Sequence, residues 1–108
     1  MHRTYDQAKA VAMFPGVVRR TVNAGDRTTM VEIAFAAGAE VPTHTHMHEQ
    51  IGYLVSGRVI FRIADEAREM HPGDSWAVLG DVPPSCTALE PSVMVEVFSP
   101  VRTEYVDF

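Results

Sequence analysis

Three histidines occupy alternate positions, His44, His46 and His48, and Glu49 and Gln50 follow directly. The chain has five histidines, so this short segment holds most of its imidazole. In an extended chain, residues i and i+2 point to one face about 6.6 Å apart. His44 and His46 can therefore converge on one ion, and imidazole donors suit Zn, Ni, Mn or Fe. Gln50 has the same parity. If the chain turns near Met47–Glu49, its amide oxygen reaches the same ion. His48 and Glu49 are alternative ligands. The plainer alternative is a set of exposed histidines on a polar loop. The position of the pattern, behind Gly38 and Pro42 and at the entry to a strand, favours a divalent metal site.

Such a ligand set needs elements to hold it. Turn signals recur at Pro15-Gly16, Asn23–Asp26, Gly38, Ser56-Gly57, Ala64–Glu66, Pro72–Asp74, Gly80-Asp81 and Glu90–Ser92. They lie roughly 8–15 residues apart, a spacing suited to a sandwich or barrel. The runs between them read as strands: Val17–Val22, Thr29–Ala36, Gln50–Val55, Arg58–Ile63, Ser75–Leu79 and Val93–Phe98. Ser56-Gly57 predicts a tight hairpin between the third and fourth of these. Val59, Phe61 and Ile63 share a face. Val93, Val95 and Val97 share another, opposite Met94, Glu96 and Phe98. No helical period is sustained. The fold class is all-β, either sheet on sheet or a sheet closed on itself.

At 108 residues the chain is expected to form one domain, residues 1–108, with the first ten as a helical turn or an arm. The net charge is -5, and the basic residues, eight arginines and Lys9, are scattered. Nucleic acid is therefore not an expected partner, since phosphate binding needs a basic face. No apolar run approaches the ~18 residues of a membrane helix, so no membrane partner is expected. No apolar segment follows Met1–Asp6, so a cytoplasmic protein without a signal peptide is expected. The single cysteine, Cys86, excludes an intrachain disulfide and a four-cysteine zinc site.

The run from Gly38 through His44-Thr45-His46 and Gln50 to Gly57 resembles the first motif of the cupins, with Gln50 in place of the more usual Glu. Pro72-Gly73-Asp74 resembles the opening of the second cupin motif, and Gly80-Asp81-Val82-Pro83 its later part. The resemblance implies a cupin-type antiparallel β-barrel of the jelly-roll kind. It also implies a homodimer, with the N-terminal strand packed against the partner. In metal-binding cupins the next residue is a fourth ligand, a histidine; here it is Pro84. Three protein ligands, His44, His46 and Gln50, leave open positions for water or substrate. Cys86, two residues further on, offers a thiolate as replacement ligand, or else is a small core residue. His48 is another candidate for the fourth position.

The C-terminal run Ser92–Arg102 looks like the last strand of the cupins associated with pectin degradation, which linearise unsaturated uronates. In that group an acid, a Phe and an Arg line the metal pocket, and the matching positions are Glu96, Phe98 and Arg102. The resemblance implies Glu96 as general acid or base, Arg102 as a clamp on a carboxylate and Phe98 as an apolar wall. The alternatives are a solvent-facing Glu96 on an edge strand, a core Phe98 and an Arg102 in a surface tail. Tyr53 and Trp76 are candidates to line the barrel and touch the ligand, or to pack the core.

Three functions follow. The first is metal-assisted isomerisation or ring opening of a small acidic metabolite such as an unsaturated uronate, a carbohydrate-metabolism role. The second is an Fe-dependent oxygenase. The third is a non-catalytic small-molecule or partner-binding cupin with a weakened metal site, which Pro84 favours.

Overall fold

Alternating side chains sort each strand into an inward and an outward face, and the inward faces define the architecture. The structure, a computed structural model, describes residues 1–108. Its strands are β1 (Val11–Phe14), β2 (Val17–Ala24), β3 (Thr29–Phe35), β4 (Glu40–Val41) and β5 (Glu49–Ser56). They continue as β6 (Val59–Ile63), β7 (Glu66–Met70), β8 (Ser75–Val78), β9 (Pro84–Ala88) and β10 (Ser92–Ser99). One sheet has the order β1-β2-β3-β10-β5-β8 and the other β4-β9-β6-β7. Every pair is antiparallel. No helix is long and apolar enough to cross a membrane.

The inward residues of the larger sheet include Val17 on β2, Val31 and Ile33 on β3, Met94 and Phe98 on β10, and Leu54 on β5. Val59 and Phe61 face them from β6. Phe61 stacks on Trp76 of β8, with centroids 4.3 Å apart, and so ties the two sheets together. Burying each such side chain contributes about 1.5–3 kcal/mol.

The Ser56-Gly57 hairpin does not form. β5 pairs with β10 and β8, whereas β6 pairs with β7 and β9 in the other sheet. Ser56-Gly57 is a corner at which the chain changes sheets. Gly57 has φ +88°, and a Cβ there would clash with Ser92 and the Pro91 carbonyl, so only glycine makes this corner. The hairpin partner of β6 is β7, a strand with almost no buried residue.

β10 is a central strand between β3 and β5, not an edge. Beyond it, after a cis Ser99–Pro100 peptide, the chain turns back over β2 and β3 and ends in a 3-10 turn at Thr103–Tyr105. The Arg102 amide donates to Thr29 Oγ1 at 2.8 Å, and Thr21 Oγ1 donates to the Tyr105 carbonyl at 2.5 Å. Thr21 and Thr29 are fully buried. At the other end, a 3-10 turn at Tyr5–Gln7 lies over the outer side of the same strands, where Tyr5 donates to Glu32 at 2.8 Å.

Candidate functional site

Between the sheets lies a cavity of about 200 Å³. Its polar wall includes His44, Gln50, Glu96 and Arg102, and Phe98, Tyr105, Pro84 and Cys86 also line it. The β10 register sets the order. Phe98 lies beside Gln50, Glu96 beside Gly52, and Met94 beside Leu54.

The histidines lie on the irregular segment between β4 and β5, not on a strand. The His44 and His46 rings are nevertheless 5.3 Å apart. His44 Nδ1 lies 2.9 Å from the Pro42 carbonyl, an acceptor only, so Nδ1 donates and Nε2 keeps its lone pair. This is the orientation a ligating imidazole needs. His46 Nε2 and Gln50 Oε1 are 2.8 Å apart. Gln50 Oε1 only accepts, so Nε2 donates to it here, and an ion would have to take the place of that proton. Burial holds His46 below the usual histidine pKa, and the Arg102 charge acts in the same direction, so the ring is neutral at pH 7. Neutral imidazole is the metal-binding form.

No three His, Cys, Asp or Glu side chains assemble into a metal cluster, so a metal here depends on the Gln50 amide oxygen as third donor. His44 and Gln50 line the cavity and offer a nitrogen and an oxygen donor, whereas His46 lies beside them off its wall, with its buried Nδ1 without a partner in the chain. His48 is buried beside His46, ring centroids 5.6 Å apart, and packs edge-on against Phe98, off the cavity wall. Pro84 opens β9 and faces the cavity without a donor. Cys86 is 3% exposed, and burial with the nearby Glu96 charge pushes its thiol up to about 12. It is a neutral thiol rather than a thiolate.

Glu96 is 5% exposed. Its Oε2 accepts from Gln50 Nε2 at 2.5 Å and from Trp76 Nε1 at 3.0 Å, while Oε1 accepts from no group in the chain. Burial raises its carboxyl above the usual value, against the pull of those two donors and of Arg102. Gly52 makes the Trp76 contact possible. It lies between Glu96 and Trp76 in the sheet, and a Cβ there would run into the indole.

The Arg102 guanidinium lies over Phe98 and Tyr105, 4.8 and 4.1 Å from their ring centroids. Its Nε donates to Glu104 at 2.7 Å, and its terminal amino groups bond to nothing in the chain.

Tyr53 and Trp76, the two further candidates for ligand contact, lie away from the cavity wall. Tyr53 is 51% exposed on the outer face of β5, because Gln50, Gly52 and Leu54 take the inward parity. Trp76 is buried but is not on the cavity wall; its N–H holds Glu96 instead. Sequence reasoning missed Tyr105 and Arg19. Tyr105 lines the cavity, held between the Arg102 and Arg19 guanidiniums, the latter 4.5 Å from its ring centroid. A buried arginine alternating with Val17 and Thr21 on β2 is a signal that was available. His71 is exposed and pairs with Glu69 at 2.8 Å.

The family model described as "Cupin domain" matches residues 31–97. No curated protein matches the sequence. Among solved structures, the chain is similar to that of KdgF from Halomonas sp., with 30% identity, a TM-score of 0.91 and coverage of 98% of this chain and 100% of that one. An RmlC-like cupin from Shewanella frigidimarina NCIMB 400 has 25% identity and a TM-score of 0.91, over 97% and 95% of the two chains. Oxalate decarboxylase matches at 21% identity and a TM-score of 0.80, over 89% of this chain and 28% of that one, a likeness of fold alone. The motif, the antiparallel jelly roll around one cavity and the match over residues 31–97 agree: the chain belongs to the cupin family.

Proposed function

We propose that this protein is a metal-binding cupin that takes a small carboxylate into its cavity and moves a proton on it. The observation that carries this reading is the grouping of His44, Gln50, Glu96 and Arg102 on one cavity. A divalent ion held by His44, His46 and Gln50 would polarise a hydroxyl or carbonyl oxygen of the ligand. The free terminal nitrogens of Arg102 bind the ligand carboxylate in a bidentate pair. Phe98 braces that guanidinium and closes the apolar side. Glu96, with Oε2 fixed by two donors, uses Oε1 to give and take the proton, and its burial keeps that proton available nearer neutral pH.

An unsaturated uronate that undergoes ring opening is the finer reading, supported by the Glu96, Phe98 and Arg102 trio and by the likeness to KdgF from Halomonas sp.. Turnover of an unsaturated uronate tests it. Glu96→Gln should lower kcat by about 10²- to 10⁴-fold with little change in KM. Turnover that survives this substitution removes Glu96 from the chemistry. A non-catalytic binding cupin is the second reading, favoured by Pro84 in place of a fourth ligand and by the neutral Cys86 thiol.

For the assembly we propose a homodimer through the outer face of β10, β5 and β8. The N-terminal turn covers β2 and β3, where Tyr5 meets Glu32 and Arg20. It leaves Ile51, Tyr53 and Val55 at 56, 51 and 48% exposure, beside the outward valines of β10. This largely apolar face, with Glu49 at its end, suits a second copy of itself.

A further inference from the structure

The carboxylate-binding reading leaves open what the rest of the acid looks like, and the far walls of the cavity bear on that. Ten of the sixteen residues lining it are hydrophobic. Polarity changes along β10. Phe98 and Gln50 mark the histidine end, Glu96 comes next, and Met94 beside Ile33 lies deeper. At strand rise, Met94 is about 13 Å along the chain from Phe98. Met13 and Phe14 of β1, Ile33 and Phe35 of β3 and Phe61 of β6 also line the cavity, with Ser85 and Cys86 of β9 completing that side. Apart from those of Ser85 and Cys86, none of these side chains can accept or donate a conventional hydrogen bond.

Apart from Ser85 and the Cys86 thiol on β9, the lining beyond Glu96 is hydrocarbon, thioether and aromatic. A buried ligand hydroxyl without a partner costs roughly 10- to 100-fold in affinity. A saturated hexuronate carries a hydroxyl on nearly every ring carbon and cannot turn them all toward Gln50, Glu96 and Arg102. An unsaturated uronate has one fewer and falls between. A cavity of about 150 Å³ admits benzene, so about 200 Å³ has room for a six-membered ring with a carboxylate.

We infer that the preferred ligand is a small carboxylate with an apolar body, a six-carbon ring or a branched chain of similar size. Its carboxylate meets Arg102 and its body lies against Met94, Ile33, Phe35 and Phe61. This rests on the reading of the cavity as a carboxylate site, not on the reaction or the metal, and it disfavours the unsaturated uronate as the best ligand.

Titration calorimetry on the protein as purified tests it, with benzoate, cyclohexanecarboxylate and galacturonate at matched ionic strength. The first two should bind at least about tenfold more tightly than galacturonate, and Arg102→Ala should abolish the binding of both. Ile33→Thr, which places a hydroxyl in the apolar end, should narrow the ratio. Galacturonate binding as tightly as benzoate would overturn the inference and leave the carboxylate site standing. Binding of neither class would overturn the carboxylate reading itself, and this inference with it. The wild-type comparison decides the matter even if Ile33→Thr does not fold.

Discussion

Glu96 is a buried carboxyl with both in-chain hydrogen bonds on one oxygen, and its titration has a defined effect on stability. Its folded pKa lies above the unfolded value of about 4.5 because burial disfavours the charge. The folded chain thus binds the proton more tightly than the unfolded chain. The stability this supplies is full below the unfolded pKa and is lost as pH rises through the folded one. Glu96→Gln keeps an acceptor for Trp76 and removes the titration. Urea unfolding at pH 4 and pH 8 should show the variant losing less stability over that interval than the wild type; equal losses would mean that Glu96 ionises in the fold without penalty. At this scale the His44, His46 and Gln50 spacing pointed to side chains that lie close together, with the imidazoles 5.3 Å apart and Gln50 bonded to His46. The sequence was least legible at Tyr105, because a tyrosine in a polar tail carries no pattern that places it inside a barrel. The outward place of Tyr53 follows from parity: once Gln50 points inward, Tyr53 points out.

The strands position these groups through a few close approaches. Gly52 lets the Trp76 indole lie across β5 to reach Glu96. Gly52→Ala should displace the indole, shift its fluorescence and cost about 1–3 kcal/mol in denaturant unfolding. An unchanged spectrum would show that the indole has another way to reach the carboxylate. The C-terminal segment depends on Thr21, whose hydroxyl is the partner of the Tyr105 carbonyl. Thr21→Val should cost about 1–3 kcal/mol and speed proteolysis after Arg102, since the carbonyl is left buried without a donor. The long alternating strands could be read from sequence to within a residue or two, as β3 and β10 illustrate. β7 could not, since Glu66–Met70 is polar and exposed and gains its conformation from pairing with β6. β9 could not either, since Pro84 reads as a breaker, yet a proline is tolerated as the first residue of a strand. The Ser56-Gly57 corner imitates a hairpin locally, and only the pairing of β6 with β9 in the other sheet distinguishes the two.

For the whole molecule, two facing sheets flank the cavity, and their outer surface divides into a part covered by the N-terminal turn and a largely apolar part left open. Replacing both Ile51 and Tyr53 by lysine should convert a dimer to a monomer in sedimentation without lowering the melting temperature of the barrel; sedimentation unchanged from the wild type would exclude this face as the interface. Composition and turn spacing were enough to identify an all-β chain, because sheet patterning is local. The cavity's lining was not foreseeable in that way, since it draws on strands as distant in sequence as β1 and β10. On the proposed function, two histidines and a glutamine hold a metal with Pro84 where a fourth ligand would stand. Elemental analysis of protein purified without a histidine tag tests it most directly. The account predicts close to one equivalent of a divalent metal per chain, lost in His44→Ala and His46→Ala and retained in His71→Ala and Cys86→Ala. Less than about a tenth of an equivalent, with no uptake of added Zn, Ni, Mn or Fe, would contradict it.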